Sequence, residues 1–309
     1  MNENFKVKKP DIYGDKRFYQ ASKWLKDYFG KKTIKLSIDG GFTCPNRDGS
    51  KGYGGCSFCS DSGSGEFASN IEDQINLLSD KWSDAKYLAY FQNHTNTYAP
   101  VQELREKYYA VLDNKKIEGL VIGTRPDCLD EDILELLDEI NKSNFLWIEL
   151  GLQTIHQATA DNFNRCYNLE IFNNAVNELY KRNIKFVVHL ILGLPGETEE
   201  MMLESVKYIS KIPGLFGIKL HLLNIVKGSA MEKSHCNYNS FNSIDEYVDL
   251  IVKCLELIPP HVTIHRLTGD APRPILLTPA WSFNKRTILN RIDEQLHLRD
   301  TWQGKKYEL

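Results

Sequence analysis

The sequence of 309 residues has no long hydrophobic run, no strong net charge and no cysteine pattern of a disulfide-rich protein. No stretch of about 18 apolar residues occurs, and the segment from Met1 to Pro10 is polar and lysine-bearing. Both observations argue against a membrane span and a secretory signal peptide. The formal net charge of −3 argues against a general binder of polyanions. We therefore expect a globular cytoplasmic protein with no membrane partner.

The seven cysteines are unevenly distributed. Cys44, Cys56 and Cys59 fall within sixteen residues. The other four are dispersed along the chain: Cys128, Cys166, Cys236 and Cys254. We interpret the dispersed four as ordinary small side chains in a reducing compartment. The group of three needs a chemical explanation.

Short apolar segments alternate with longer amphipathic segments, which is the pattern of repeated strand–helix units. The predicted strands are 33–39, 85–92, 118–124, 145–151, 184–193, 215–225 and 262–267. The predicted helices between them lie near 69–82, 100–114, 130–142, 169–182, 198–211 and 243–258. No Gly-x-Gly-x-x-Gly turn follows the first strand, which lowers the alternative of a doubly wound nucleotide-binding sheet. We predict an α/β fold with a partial (β/α)6-type TIM barrel.

The two ends of the chain extend beyond this repeated pattern. We predict an N-terminal helical extension at 1–30, a barrel core at 31–230 and a C-terminal extension at 231–309. The first extension contains a predicted helix at 16–29 and the last a polar helix near 282–298. No linker or low-complexity segment separates them.

Polar and titratable residues collect directly after the predicted strands. Arg125, Gln153, His221 and Arg266 each stand at the end of an apolar segment. In parallel barrels the active site is built by the loops at the carboxyl ends of the strands. The sequence therefore predicts an active site at this end of the barrel.

The glycine-rich segment GGFTCPNRDGSKGYGGCSFC carries Cys44, Cys56 and Cys59. A structural zinc ion would need a fourth Cys or His ligand at a recognisable spacing. A Cys-x-x-Cys redox site would leave Cys44 unexplained. Three thiolates on an iron–sulfur cluster of four irons would leave one iron open to a small molecule. We favour the cluster, and the zinc and redox sites stay as alternatives.

This loop resembles that of radical S-adenosylmethionine (SAM) enzymes, although its first gap is longer than in their commonest Cys-x3-Cys-x2-Cys spacing. It is similar to the elongator-catalytic-subunit-like branch, and within that branch to the YtqA/YhcC subgroup. Further matching motifs are TRPD at 124–127, ELGLQT at 149–154, HLILGLPG at 189–196 and the later RLTGDAPRP. The resemblance covers roughly residues 10–309.

The resemblance implies that the three cysteines hold a [4Fe–4S] cluster whose open iron binds SAM. Reductive cleavage of SAM would give a 5′-deoxyadenosyl radical that takes a hydrogen atom from the substrate. A flavodoxin- or ferredoxin-type protein would supply the electron. The expected SAM contacts are Gln92, Asn96, Arg125, Gln153, Gly193 and Gly196.

Individual roles follow from position in the family's motifs. Arg125 would hold the SAM carboxylate, because a guanidinium group matches a carboxylate; the alternative is a structural salt bridge at the barrel rim. Gln153 would reach the ribose or methionine portion. The segment from Gln92 to Thr97 replaces the family's Gly-Gly-Glu stretch, which meets the SAM amino group. The backbone from Gly193 to Gly196 would pass close to the adenine.

On the substrate side we name His221, Lys227 and Arg266, each of which could equally be a structural histidine or ion pair. His189 lies within an apolar run and is interpreted as a core histidine. Four aromatic residues near the C-terminus, interleaved with basic residues, form either a base-stacking surface or helix-packing contacts. They are Trp281, Phe283, Trp302 and Tyr307.

The elongator-like branch acts on wobble uridines of tRNA. The resemblance therefore implies tRNA as the substrate and conversion of carboxymethylaminomethyl-uridine to aminomethyl-uridine, before a separate pathway methyltransferase. Two other classes stay open. One is a radical SAM enzyme acting on a small-molecule or porphyrin-like metabolite. The other is a non-catalytic iron–sulfur or zinc protein that binds RNA or a partner.

Overall fold

The computed structural model describes residues 8–63, 65, 68–79, 82 and 84–308. Its strands are β1 (Thr33–Ile38), β2 (Lys86–Phe91), β3 (Ile117–Thr124), β4 (Phe145–Gln153), β5 (Lys185–Leu192), β6 (Leu215–Leu222), β7 (Ile225–Val226), β8 (Thr263–Arg266) and β9 (Leu276–Thr278). Its helices are α1 (Ala21–Phe29), α2 (Ile71–Ser79), α3 (Val101–Leu112), α4 (Glu131–Ser143), α5 (Gln157–Asn162), α6 (Leu169–Lys181), α7 (Glu199–Ser210), α8 (Ala230–Ser234), α9 (Ile244–Leu257) and α10 (Lys285–Leu298). Short 3-10 helices occupy Asp11–Tyr13, Pro126–Cys128 and Ala280–Phe283.

Seven strands form one parallel sheet in the order β1-β2-β3-β4-β5-β6-β8, with helices between successive strands. The predicted α/β fold with a partial barrel is therefore confirmed, and all seven predicted strands contribute to the sheet, the last of them, 262–267, as β8. The predicted strand 215–225 ends earlier, at Leu222. Its last residue, Ile225, belongs to β7, which pairs with β9 in a separate antiparallel ribbon.

Alternation along each strand divides the side chains into two sets, because successive residues face opposite sides of a sheet. In β4, Leu146, Ile148 and Leu150 belong to the main core, which includes residues of the surrounding helices. Trp147 belongs to a different apolar cluster inside the barrel, and Glu149 follows it on the same face. The inner face thus carries polar groups that an apolar-run interpretation of the strand does not reveal.

Helix α1 closes the barrel at the amino ends of the strands. It contacts both β1 and β8, and the carbonyl oxygen of Tyr19 accepts the Ile264 N–H at 2.7 Å. Its Leu25 packs with inward-facing side chains such as Leu88 and Val187. The interior is therefore filled by apolar groups at this end, and the carboxyl ends of the strands are left for polar groups.

The predicted domain boundaries at residues 30 and 230 stay predictions, and residues 1–7 of the N-terminal extension lie outside the described part of the chain. β8 comes from the predicted C-terminal extension yet pairs directly with β6 of the barrel. Among the helices of the described ranges, none has the combination of length and hydrophobicity that crossing a bilayer requires.

Candidate active site

A cavity of about 270 Å³ lies at the carboxyl ends of the barrel strands. Many of the sequence-predicted residues line it together: Cys44, Cys56, Cys59, Gln92, Arg125, Gln153, His221 and Arg266. The predicted candidates that do not line it are Asn96, Gly193, Gly196 and Lys227. The loops after the strands thus bring most of the candidates to one place.

The three cysteines of the long loop are free thiols and are half-buried in the cavity wall. Backbone turns hold them: the Arg47 N–H donates to the Cys44 carbonyl at 2.8 Å, and the Cys59 N–H donates to the Cys56 carbonyl at 2.9 Å. The hydrogen bond between the Cys56 and Cys59 thiols, together with burial, raises the pKa of Cys56 well above its usual range. Iron binding must therefore displace the proton of the Cys56 thiol.

The described residues contain no group of three His, Cys, Asp or Glu side chains arranged to hold a single metal ion. A [4Fe–4S] cluster has a different requirement, because each of its protein thiolates binds a separate iron. The three cysteines need only face one cavity, which they do.

The sequence left two roles open for Arg125: a contact with the SAM carboxylate or a structural salt bridge at the barrel rim. Its Nε and Nη2 donate to the carboxylate of Asp127, both at 2.9 Å, and Nη2 also donates to the Arg165 carbonyl at 2.9 Å. Burial opposes the charge of Arg125, but the Asp127 carboxylate outweighs burial and raises the pKa of the guanidinium. The salt bridge is present, and the guanidinium also lines the cavity.

Gln153 ends β4 in an unusual backbone conformation. Its φ of 66° lies in the left-handed region, which costs a residue other than glycine on the order of 1–3 kcal/mol. With its side-chain nitrogen turned toward the carbonyl oxygens of Gly151 and Leu152, it donates hydrogen bonds at 3.0 and 2.8 Å. Such strain is concentrated at functional sites.

Asn96 does not reach the cavity, because its side chain ties the loop to the sheet. Its Nδ2 donates to the carbonyls of Phe91 at 3.1 Å and Gly123 at 2.8 Å, and the residue is fully buried. His94 and Thr95 of the same loop line the cavity instead. The Oγ1 of Thr95 is buried and has no hydrogen-bond partner among the described residues.

Of the other three candidates outside the cavity, Gly193 allows close packing, and Gly196 and Lys227 are exposed. Gly193 has a φ of 88°, and an added Cβ would lie 2.3 Å from the Cβ of Ser240, so this glycine is required for packing. Gly196 is exposed after the turn. Lys227 is exposed directly after Val226, which lines the cavity, and so stands at the mouth.

Sequence reasoning missed a charged cluster in the barrel interior, formed by Lys35, Glu149, His189 and Lys219. The Glu149 side chain has no exposed surface, and its carboxylate pairs with Lys35 Nζ at 3.1 Å, with His189 Nε2 at 2.9 Å and with Lys219. Burial opposes ionisation, but the charges of Lys219 and Lys35 outweigh it and hold the pKa of Glu149 well below its usual range. These four residues come from β1, β4, β5 and β6.

His189 is not a simple core histidine, because it lines the cavity next to His221, with ring centroids 5.1 Å apart. Burial, reinforced by the charge of Lys219, lowers the pKa of His189 to about 4. Burial also lowers the pKa of His221, whose Nε2 has no hydrogen-bond partner among the described residues. Both imidazoles are therefore neutral near pH 7. The period-two pattern, which places Glu149 and His189 on the inward face, was the signal available in the sequence.

The cavity walls have the chemistry that a [4Fe–4S] cluster and SAM require. Three free thiols belong to residues that line it, as do three buried polar atoms with no hydrogen-bond partner among the described residues: His94 Nδ1, Thr95 Oγ1 and His221 Nε2. Its charged lining has a cationic excess. The cations are Arg47, Arg125, Arg165, Lys219 and Arg266, and the carboxylates are Glu149 and Asp270. The residues present therefore fit these groups.

Comparison with known families decides the class of protein. Residues 44–209 match the model of the Radical SAM superfamily, and residues 216–297 match the Radical SAM C-terminal domain. The chain belongs to the radical SAM superfamily. Members of this superfamily use a [4Fe–4S] cluster and SAM.

Individual relatives refine the branch of this radical SAM protein. It is 43% identical over 303 residues to the protein YtqA of Bacillus subtilis, covering 95% of this chain and 94% of YtqA. It is 39% identical over 280 residues to YhcC of Escherichia coli, covering 87% of this chain and 89% of YhcC. Its fold is similar to that of the archaeal Elp3 of Methanocaldococcus infernus, with a TM-score of 0.64, 15% identity, and coverage of 88% of this chain and 64% of that one. The Elp3-like branch expected from the sequence is confirmed.

Proposed function

We propose that this radical SAM enzyme modifies the wobble uridine of tRNA, converting the carboxymethylaminomethyl side chain to the aminomethyl form. The observation that carries the proposal is a cationic cavity that holds three free thiols in a chain of the Elp3-like branch. The carboxymethyl group to be removed carries a carboxylate, and a cavity with more cations than carboxylates suits such a substrate. Loss of a hydrogen atom from the carbon beside that carboxylate, return of one electron to the cluster and hydrolysis of the resulting imine by water would release this group as glyoxylate and leave the aminomethyl form.

In this proposal Cys44, Cys56 and Cys59 hold the cluster. When bound, the reduced cluster and SAM supply a 5′-deoxyadenosyl radical, which takes a hydrogen atom from the substrate. Arg125 binds the SAM carboxylate: Asp127 fixes its Nε and Nη2, while its Nη1 has no partner among the described residues. A guanidinium held in this way is already oriented, so it loses little rotational freedom on binding.

Two further contacts with SAM are proposed from the loops after β2 and β4. The Gln92 and Thr95 side chains face the cavity from the segment that replaces the family's Gly-Gly-Glu stretch, and they would meet the SAM amino group. Gln153, held by its own strand end, would meet the ribose or methionine portion.

The substrate side of the cavity is assigned to His221 and Arg266. The neutral His221 offers its unpaired Nε2 for a hydrogen bond. Arg266 pairs with Asp270 at 2.8 Å, which positions its guanidinium at the cavity wall for an anionic group. Glu149, His189 and Lys219 of the interior charged cluster also line the cavity, so they add further polar groups to its wall.

The cellular setting follows from the thiols. All seven cysteines are free in the structure, which suits a reducing compartment, and we infer the cytoplasm. A flavodoxin- or ferredoxin-type protein would supply the electron. A methyltransferase would then act on the aminomethyl product.

The test is nucleoside analysis of tRNA after anaerobic reaction. Reconstituted, reduced protein is given SAM and bulk tRNA from cells that lack this gene, with the Cys59→Ala variant as control. We expect carboxymethylaminomethyl-uridine to decrease and aminomethyl-uridine to appear only with the wild-type protein. Cluster-dependent formation of 5′-deoxyadenosine without any nucleoside change would contradict the tRNA substrate and favour a small-molecule one.

A further inference from the structure

The sequence predicted that the four C-terminal aromatic residues either stack on bases or pack against helices. In the structure three of them contact the protein and one is exposed. Trp302 is buried, Trp281 packs on Tyr247 with ring centroids 5.9 Å apart, and the Tyr307 hydroxyl donates to the Ser210 carbonyl at 3.4 Å. Phe283 differs from them, because 42% of its surface is exposed. A large exposed aromatic ring is available to a partner.

Phe283 stands at the mouth of the active-site cavity. Its neighbour Ser282 accepts a hydrogen bond at 2.6 Å from Asn224, which lines the cavity. Lys285, two residues later, pairs with Asp270, which also lines the cavity. The exposed ring is therefore anchored on both sides to the cavity wall.

One cation without a carboxylate partner contacts this ring, and two more lie on neighbouring segments. The Arg273 guanidinium lies 4.7 Å from the centroid of the Phe283 ring, and Arg286 follows on the first turn of α10. Lys227 lies at the same cavity mouth, where its backbone N–H donates to the Ile275 carbonyl at 2.8 Å. All three cations are exposed and form no salt bridge with a described residue.

Three other C-terminal cations pair with carboxylates instead. Arg291 forms a salt bridge with Asp245, and Arg299 forms one with Asp249. Both aspartates belong to α9. Lys306 pairs with Glu256 at 2.5 Å. Of the exposed C-terminal cations that form no salt bridge with a described residue, Arg273 and Arg286 lie beside the cavity mouth, whereas Lys305 donates to the Asp300 carbonyl. The cavity mouth thus carries unpaired positive charge, although the whole chain is slightly acidic.

We propose that Lys227, Arg273, Phe283 and Arg286 form a docking surface for the single-stranded RNA loop that carries the target nucleoside. One base next to the target stacks on Phe283, and the three cations contact the phosphates on either side. An exposed aromatic ring beside unpaired cations is the arrangement by which proteins hold single strands without reading their sequence. This inference rests on the proposed tRNA substrate and identifies where that substrate lies.

The test measures the affinity of the reconstituted holoprotein for a labelled anticodon stem–loop RNA by fluorescence anisotropy, over a series of KCl concentrations. Phe283→Ala should weaken binding about tenfold at every salt concentration, because one stacked base is lost. Arg273→Ala with Arg286→Ala should weaken binding and lower the slope of log Kd against log salt by about 1.4, the value for two contacts to a single strand.

The matched control is Arg291→Ala with Arg299→Ala, which removes the same charge from the same region but from paired positions. It should leave the salt slope unchanged, and thermal unfolding of all variants checks that they fold. Equal slopes for the two double variants, or wild-type affinity for Phe283→Ala, would overturn the docking surface while leaving the tRNA substrate in place. A wild-type protein that does not bind the RNA would overturn the proposed function itself. RNA binding unchanged in the Arg273 and Arg286 variant, with reduction by flavodoxin lost, would assign the surface to the electron donor.

Discussion

The interior charged cluster predicts a large effect of one small substitution. Glu149→Gln keeps the size of the side chain but removes the negative charge that faces Lys35 and Lys219. The Glu149 carboxylate is fully buried, and the Lys219 side chain is 5% exposed, so water cannot replace the lost partner. The variant leaves buried positive charge without compensation.

The size of the effect follows from the geometry. Two unit charges 3.1 Å apart, as for Lys35 and Glu149, attract by about 5 kcal/mol at an effective dielectric constant of about 20. Burial lowers the pKa of Lys219, so this lysine gives up its proton in the variant and limits the loss. We expect the free energy of unfolding to fall by about 3–5 kcal/mol, the usual cost of removing one partner from a buried pair.

The assay is urea unfolding followed by circular dichroism, with Glu139→Gln as the matched control. Glu139 accepts hydrogen bonds from Arg105 and Tyr109, but it lies on the surface, where water and salt screen the pair. The same chemical change there should have little effect. If Glu149→Gln unfolds at the same urea concentration as the control variant, the cluster does not hold its charges as the geometry indicates.

Three further predictions address single contacts. Burial lowers the pKa of His189 from 6.5 to about 4 in the folded protein, so the unfolded chain takes up the proton first, and the free energy of unfolding falls as the pH falls from 6.5 to 4. His189→Gln should flatten this decline, measured by urea unfolding at several pH values. An equally steep decline in the variant would contradict the assignment to His189. Arg125→Lys should raise the Kd for SAM about tenfold in calorimetry of the reconstituted protein, because a lysine cannot keep the two-point contact with Asp127 that orients the free Nη1 toward the SAM carboxylate; an unchanged Kd would remove Arg125 from the SAM site. Asp130→Ala removes the cap on the Ile133 N–H at 3.2 Å and should destabilise the protein by about 1 kcal/mol; a wild-type urea midpoint would show that the cap contributes nothing.

The sequence was sufficient for the fold because the signals involved are local. Each predicted strand overlaps an observed one, since apolar runs and helix-start residues act over a few positions. The ribbon of β7 and β9 was not predicted, because it depends on a pairing between Ile225 and Thr278 that no local pattern encodes. The gathering of Cys44, Cys56, Cys59 and Arg125 at one cavity follows from their positions after parallel strands.

The interior charged cluster could not be predicted in the same way. Lys35, Glu149 and Lys219 are separated by 114 and 70 residues, and each stands in a segment that is apolar on average. Their contact depends on the register of neighbouring strands and on which face each residue takes. Asn96 is the opposite case, because its sequence position predicted a contact with SAM. In the structure its side chain instead donates hydrogen bonds to backbone carbonyls.

The central claim is tested most directly by measuring 5′-deoxyadenosine. Protein purified without oxygen is reconstituted with iron and sulfide, reduced and given SAM, and the product is quantified by mass spectrometry. The comparison is Cys56→Ala, from the cavity, with Cys254→Ala, whose thiol is buried in the main core. We expect 5′-deoxyadenosine from the wild-type and Cys254→Ala proteins, and none from Cys56→Ala. A wild-type protein with an intact, reducible cluster that never cleaves SAM would contradict the account.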